Sequence, residues 1–156
     1  MGGIFRRRAV AAGAIVMAVA CGPVAARADE APATCNKDDF ETVVETAAGS
    51  LRDLNTQNRP MFQEKLRALK DKRHWTHDEF IAKAKPFVKD DKTAVYDKQS
   101  DELLSAIASM GQQGASAAEP DCALMLELRA RMKALVETQS AKWSYMIQKL
   151  DAELAN

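Results

Sequence analysis

One periodicity constrains this chain more than any other feature. Met125, Leu128 and Met132, then Val136, Gln139 and Trp143, then Ile147, Leu150 and Leu154 recur at an 11-residue interval. Eleven residues over three turns is about 3.67 per turn, the period of a nearly straight α-helix rather than of a left-handed heptad coil. Leu124, Leu135 and Met146 form a parallel row at the same interval and widen the apolar face beyond a narrow seam. A helix over residues 121–154 spans roughly 50 Å at about 1.5 Å per residue. A compact sphere of about 100 residues cannot cover such a rod, so helices of similar length must lie beside it.

The rest of the chain supplies two. Phe40, Val43, Val44, Ala47, Leu51 and Leu54 keep helical spacing, and Met61, Phe62, Leu66 and Leu69 resume it beyond Pro60. Pro60 lacks a backbone donor, which predicts a bend or brief interruption near Asn58. Thr76 with Glu79 three positions on is a capping-box signature for a second arm. Its apolar face runs from Phe80 and Ile81 to Ile107 and Met110, with a second bend at Pro86. The stretch GQQGASAAEP, residues 111–120, ends it. Glycine is scarce, β-branched runs are absent, and Ala, Leu, Lys and Glu dominate, so nothing competes with helix. The expected fold is all-α: an elongated up-down-up three-helix bundle with arms at 38–72, 77–110 and 121–154, the first two bent at proline. If the prolines break the arms outright, the count becomes four or five helices.

The first 28 residues read as an export signal. Arg6, Arg7 and Arg8 precede an apolar run from Ala9 to Cys21, and Ala26-Arg27-Ala28 supplies small residues at a cleavage site. The run has 13 residues, short of the roughly 20 a membrane-spanning helix needs. The expected mature chain is a single helical-bundle domain, 29–156, periplasmic or secreted. A competing reading, lipidation at Cys21, has Ala18 where such signals usually carry leucine. Removing residues 1–28 takes away four arginines and no acid, leaving 18 basic and 22 acidic residues and a net charge of −4. That balance argues against nucleic acid as a partner. In an oxidising compartment Cys35 and Cys122 are expected to pair. Up-down-up topology brings the start of the first arm and the start of the third to the same end, where such a bond fits.

The opposite end carries KDKRHWTHDEF, residues 70–80. From Lys65 to Lys92 there are nine basic and five acidic residues, a local charge of +4 that leaves −8 for the rest of the mature chain. A basic hairpin centred on Trp75, with Lys70, Lys72 and Arg73, suits docking onto an anionic envelope surface or an acidic protein partner. Set against this is the ordinary reading of a charge run as a solvated helix face. Asp71, His74 and His77 are ligand types for a divalent metal, but the spacing crosses the helix boundary at Thr76, and no metal or other cofactor is expected. Trp75 is expected to close the hairpin over its apolar interior.

A second candidate is a pocket at the level of the two bends, where Pro60 and Pro86 lie at similar height and Trp143 and Met146 approach from the third arm. Core packing is the plainer role for the same side chains. There is no G-x-S-x-G, no phosphate-cradling glycine loop, no C-x-x-C and no H-E-x-x-H, so no catalytic residue is expected. The sequence therefore favours a noncatalytic docking protein, with a small-ligand or metal-binding module as the alternative.

Overall fold

The computed structural model describes residues 35–156, and the expected export segment, 1–28 with Cys21, lies outside the described residues. Four helices follow one another: α1 Lys37–Lys72, α2 His77–Val88, α3 Asp91–Ser116 and α4 Cys122–Ala155. No strand occurs among the described residues. The protein is an all-α bundle in which α4 packs along both α1 and α3 and touches α2 more lightly.

Side-chain pairs fix the directions. Cys35 bonds to Cys122 with their Cα atoms 5.1 Å apart. At the far end of the same two helices, Lys65 meets Asp151 and Lys72 Nζ donates to the Leu154 carbonyl at 2.7 Å. Thus α1 and α4 run parallel. Across α3, Lys142 meets Asp97, Lys149 meets Asp90, and Gln139 Nε2 donates to Ser100 Oγ at 2.7 Å. Position rises along α4 as it falls along α3, so these two are antiparallel. The three expected arms are present, with the second divided in two.

The division near Pro86 is the outright break of the alternative four-helix count rather than a bend within one arm. Here α2 ends at Val88, Lys89 is extended (φ −136°, ψ 111°), and Asp90 restarts the chain as the N-cap of α3. Two local causes coincide. Pro86 cannot donate to the carbonyl four residues back, which weakens the last turn of α2. Asp90 and Thr93 then form a reciprocal capping box: Thr93 N donates to Asp90 Oδ1 at 2.8 Å, and Asp90 N donates to Thr93 Oγ1 at 2.7 Å. At Pro60 the outcome differs, because α1 continues through it as one helix of 36 residues. The second arm also runs on past Gly111 and Gly114 to Ser116 rather than ending near Met110.

The best-packed core lies in the half remote from the disulfide. Phe62, Leu66, Leu69, Met146 and Leu150 form it, with Trp75, Phe80, Phe87, Trp143, Ile147 and Leu154 packed around them. Leu69 and Leu150 are wholly buried, and each such side chain stabilises by about 1.5–3 kcal/mol relative to exposure. The buried residues of α4 are Met125, Leu128, Leu135, Met146 and Leu150, all members of the two 11-residue rows. By contrast α3 buries only Thr93 and Ser100 and leaves Val95 and Leu104 about half exposed. Tyr96, Leu103, Ile107 and Met110 are half-buried at the same helical spacing as these two.

Candidate functional site

The turn at the basic end is built from the C-terminus of α1. Arg73 is the C-cap, and His74 follows with φ 52°, in the left-handed region that glycine normally takes. His74 N donates to the Asp71 carbonyl at 3.2 Å, and Trp75 N donates to the Lys70 carbonyl at 3.0 Å. These two bonds make a Schellman motif, which satisfies helix-end carbonyls that would otherwise lack donors. Trp75, the residue after the left-handed one, folds back onto the core cluster that contains Leu69. Thr76 then caps α2. Glu79 N donates to Thr76 Oγ1 at 3.3 Å, and Thr76 N donates to Glu79 Oε2 at 3.0 Å. That backbone bond, with Lys83 beside it, lowers the Glu79 pKa.

The cations of residues 65–92 divide into two groups. Several are engaged within the molecule. Lys72 Nζ holds the Leu154 carbonyl near the end of α4, and Arg73 Nη2 donates to Glu153 Oε2 at 3.0 Å. Both therefore sit at the negative end of the α4 dipole. Lys65 pairs with Asp151, Lys83 with Glu79 at 3.1 Å, and Lys70 lies 5.7 Å from the centroid of the Phe80 ring. Lys83 also stands 5.5 Å from the Trp75 ring, and Lys92 4.3 Å from that of Tyr145. Arg67, Lys85 and Lys89 are exposed and make no ion pair or side-chain hydrogen bond among the described residues. The end of α4 also brings Lys149, Asp151 and Glu153 to this end, which lowers its local charge from +4 to +3.

Of the side chains expected at the level of the prolines, Trp143 and Met146 join one core cluster. Met146 is buried in the core, and Trp143 sets its ring edge-on to Phe62 with centroids 6.0 Å apart. Pro60 and Pro86 are exposed. A cavity of about 750 Å³ opens instead at the disulfide end, and none of these four residues lines it. Asp71, His74 and His77 remain spread around the turn. No group of three or more His, Cys, Asp or Glu side chains gathers as a metal site among the described residues.

Sequence reasoning passed over the clasp at the break between α2 and α3. Asp90 Oδ2 accepts from Lys149 Nζ and from Tyr145 Oη, the latter at 2.8 Å. Lys149 also donates to the Pro86 carbonyl, one of those left without a helical partner where α2 stops. Lys149 first, then the Thr93 amide and the Tyr145 hydroxyl, hold the Asp90 carboxyl well below the usual carboxylate range. The same bond raises the Tyr145 pKa, because ionising the phenol would lose the donor to Asp90. Asp90-x-x-Thr93 was the available signal for the cap. Nothing local pointed to Lys149, 59 residues away.

No described helix is long and apolar enough to cross a membrane. The chemistry of the described residues is that of a surface with opposed ends. Residues 35–49 and 111–127, at the disulfide end, hold one basic and seven acidic residues. Compared with protein-family models, curated proteins and solved structures, the chain finds no match.

Proposed function

We propose that this protein is an exported, noncatalytic helical bundle that docks through its basic end onto an anionic lipid surface of the cell envelope. The separation of charge along the bundle carries the reading. The two ends of α1 and α4 lie roughly 50 Å apart, against a Debye length of about 8 Å at physiological salt. Each end therefore meets a surface almost independently, and an overall charge of −4 does not prevent the basic end from binding. The acidic end is repelled by the same surface, which orients the molecule upright.

Lys70, Lys72, Arg73 and Trp75 lie at the end of α1 and in the turn that leads to α2. Lys72 and Arg73 already cap α4, so the contact rests more on Arg67, Lys85 and Lys89, whose charges are not spent inside the fold. Juxtamembrane cations contribute about 1 kcal/mol each on an anionic surface. Reversing Arg67, Lys85 and Lys89 to glutamate is then expected to weaken binding by more than 100-fold.

The test is cosedimentation with vesicles of mixed phosphatidylglycerol and phosphatidylcholine, across a salt series, beside pure phosphatidylcholine. The native protein should bind only the anionic vesicles and elute with salt. The triple reversal should not bind, with its helical spectrum unchanged. Binding that survives the reversal, or that ignores salt, removes the proposal. Failure of the native protein to bind vesicles, with salt-sensitive capture of an acidic protein from envelope extracts, would replace the lipid surface by that partner.

A further inference from the structure

The cavity at the disulfide end exists because the sequence leaves the space between α1 and α3 unfilled. Phe40 and Val44 face it from α1, Met110 from α3 and Leu128 from α4. The last turns of α3 offer Gly111 and Gly114, and the connection to α4 adds Ala117 and Ala118. A Cβ at Gly111 would meet no atom within 4 Å. Val44 stays 44% exposed, so an apolar wall faces solvent across the opening. At about 750 Å³ the space is of small-ligand size.

Its rim has one sign. Glu41, Glu45, Glu119 and Asp121 border it, and Lys37 is the one cation among the lining residues. Lys37 lies 3.9 Å from Glu41. Asp121 is committed to the N-terminus of α4, where it accepts from the amides of Ala123 and Leu124 at 2.9 and 3.1 Å. Glu45 and Glu119 have no hydrogen-bond or ion-pair partner among the described residues, so their carboxylates are available to a ligand. The C-terminus of α3 adds partial negative charge here, and its last turn carries no basic residue to offset it.

We infer that this cavity binds an amphiphilic cation, with an aliphatic or aromatic body against Phe40, Val44, Met110 and Leu128 and an ammonium group at Glu45 and Glu119. An anionic amphiphile of the same length fits the walls but is repelled at the rim. A neutral one gains the walls alone. The site is at the opposite end from the basic turn and stands whether or not that turn binds lipid.

The test is calorimetric titration of the full protein at low salt with octylamine, octan-1-ol and octanoate. Octylamine should bind at least tenfold more tightly than octanoate, with octanol between them. The double variant Glu45→Gln, Glu119→Gln should cut that preference at least threefold and leave octanol affinity unchanged. Gly111→Phe and, separately, Val44→Trp should fill the space and reduce binding of all three compounds. Gly111→Phe should do so with unimpaired stability, since it replaces a poor helix former inside α3. Equal affinity for octylamine and octanoate overturns the inference. So does the absence of binding by any of the three, or undiminished octylamine affinity in both filled variants.

Discussion

Replacing Cys35 and Cys122 together by alanine probes the architecture most directly. The bond joins residues 87 apart in sequence, and its Cα separation of 5.1 Å lies within the range of ordinary bridges. In the loop-entropy treatment a closed loop of that length restricts the unfolded chain by an amount worth about 4.5 kcal/mol at room temperature. Domains of this size have a net stability of about 5–15 kcal/mol, so the bridge is a large fraction of the total. Packing does little to replace it where it sits. Between Lys37 and Met61, α1 buries only Val43, whereas Phe62, Leu66 and Leu69 anchor its other end. The loss should therefore appear first as fraying of the early turns of α1 beside the cavity, with the core around Leu69 and Leu150 intact. Urea unfolding followed by circular dichroism should show the midpoint falling by about 2–3 M, taking a slope of about 1.5–2 kcal/mol per M. Hydrogen exchange should quicken in residues 37–50 before residues 62–72. A stability loss under about 1 kcal/mol, or exchange that quickens first at the basic end, would refute the reasoning.

Two further perturbations test the turn and the clasp. His74→Gly should raise stability by about 1 kcal/mol, since a left-handed conformation costs a side-chain-bearing residue about that much and glycine almost nothing. His74→Val should lower it, and a urea midpoint moving the other way in either variant would contradict the φ of 52° at that position. The Asp90 carboxyl is held below its ordinary value of 3.8 by Lys149, the Thr93 amide and Tyr145, so its contribution is present above that value and lost as pH falls below it. Unfolding measured from pH 7 to pH 2 should show this fall in the native protein, a flatter profile in Asp90→Asn, and a shallower fall in Lys149→Met. Identical profiles for all three would show that the clasp does not couple to folding. Tyr145 works in the opposite sense: its raised pKa favours the folded state until pH climbs past the ordinary phenol value of 10.0 and through the folded one.

Local properties were legible without coordinates. The 11-residue rows name the buried residues of α4 because helical periodicity depends only on the chain's own repeat. The Thr76–Glu79 box is a three-residue relation and could be read directly, as could the pairing of Cys35 with Cys122 once the arms were counted. The division at Lys89–Asp90 was also local. It rests on Pro86 and on the Asp90-x-x-Thr93 cap, and the alternative count of four or five helices allowed for it.

What only the tertiary structure decided is which long-range partner each polar group finds. Lys72 and Arg73 are equivalent to Arg67 and Lys85 in a charge count. Yet the first two are consumed by the end of α4, some 80 residues away, and the others are not. Likewise Trp143 and Met146, read from the sequence as pocket or core, pack with Phe62, and a cavity opens where Gly111 and its small neighbours present too little side chain to close it. Sequence periodicity determines which face of a helix turns inward. The volume left between two such faces, and the charges that meet across it, depend on side chains from several helices at once, and those meet only when the chain is folded.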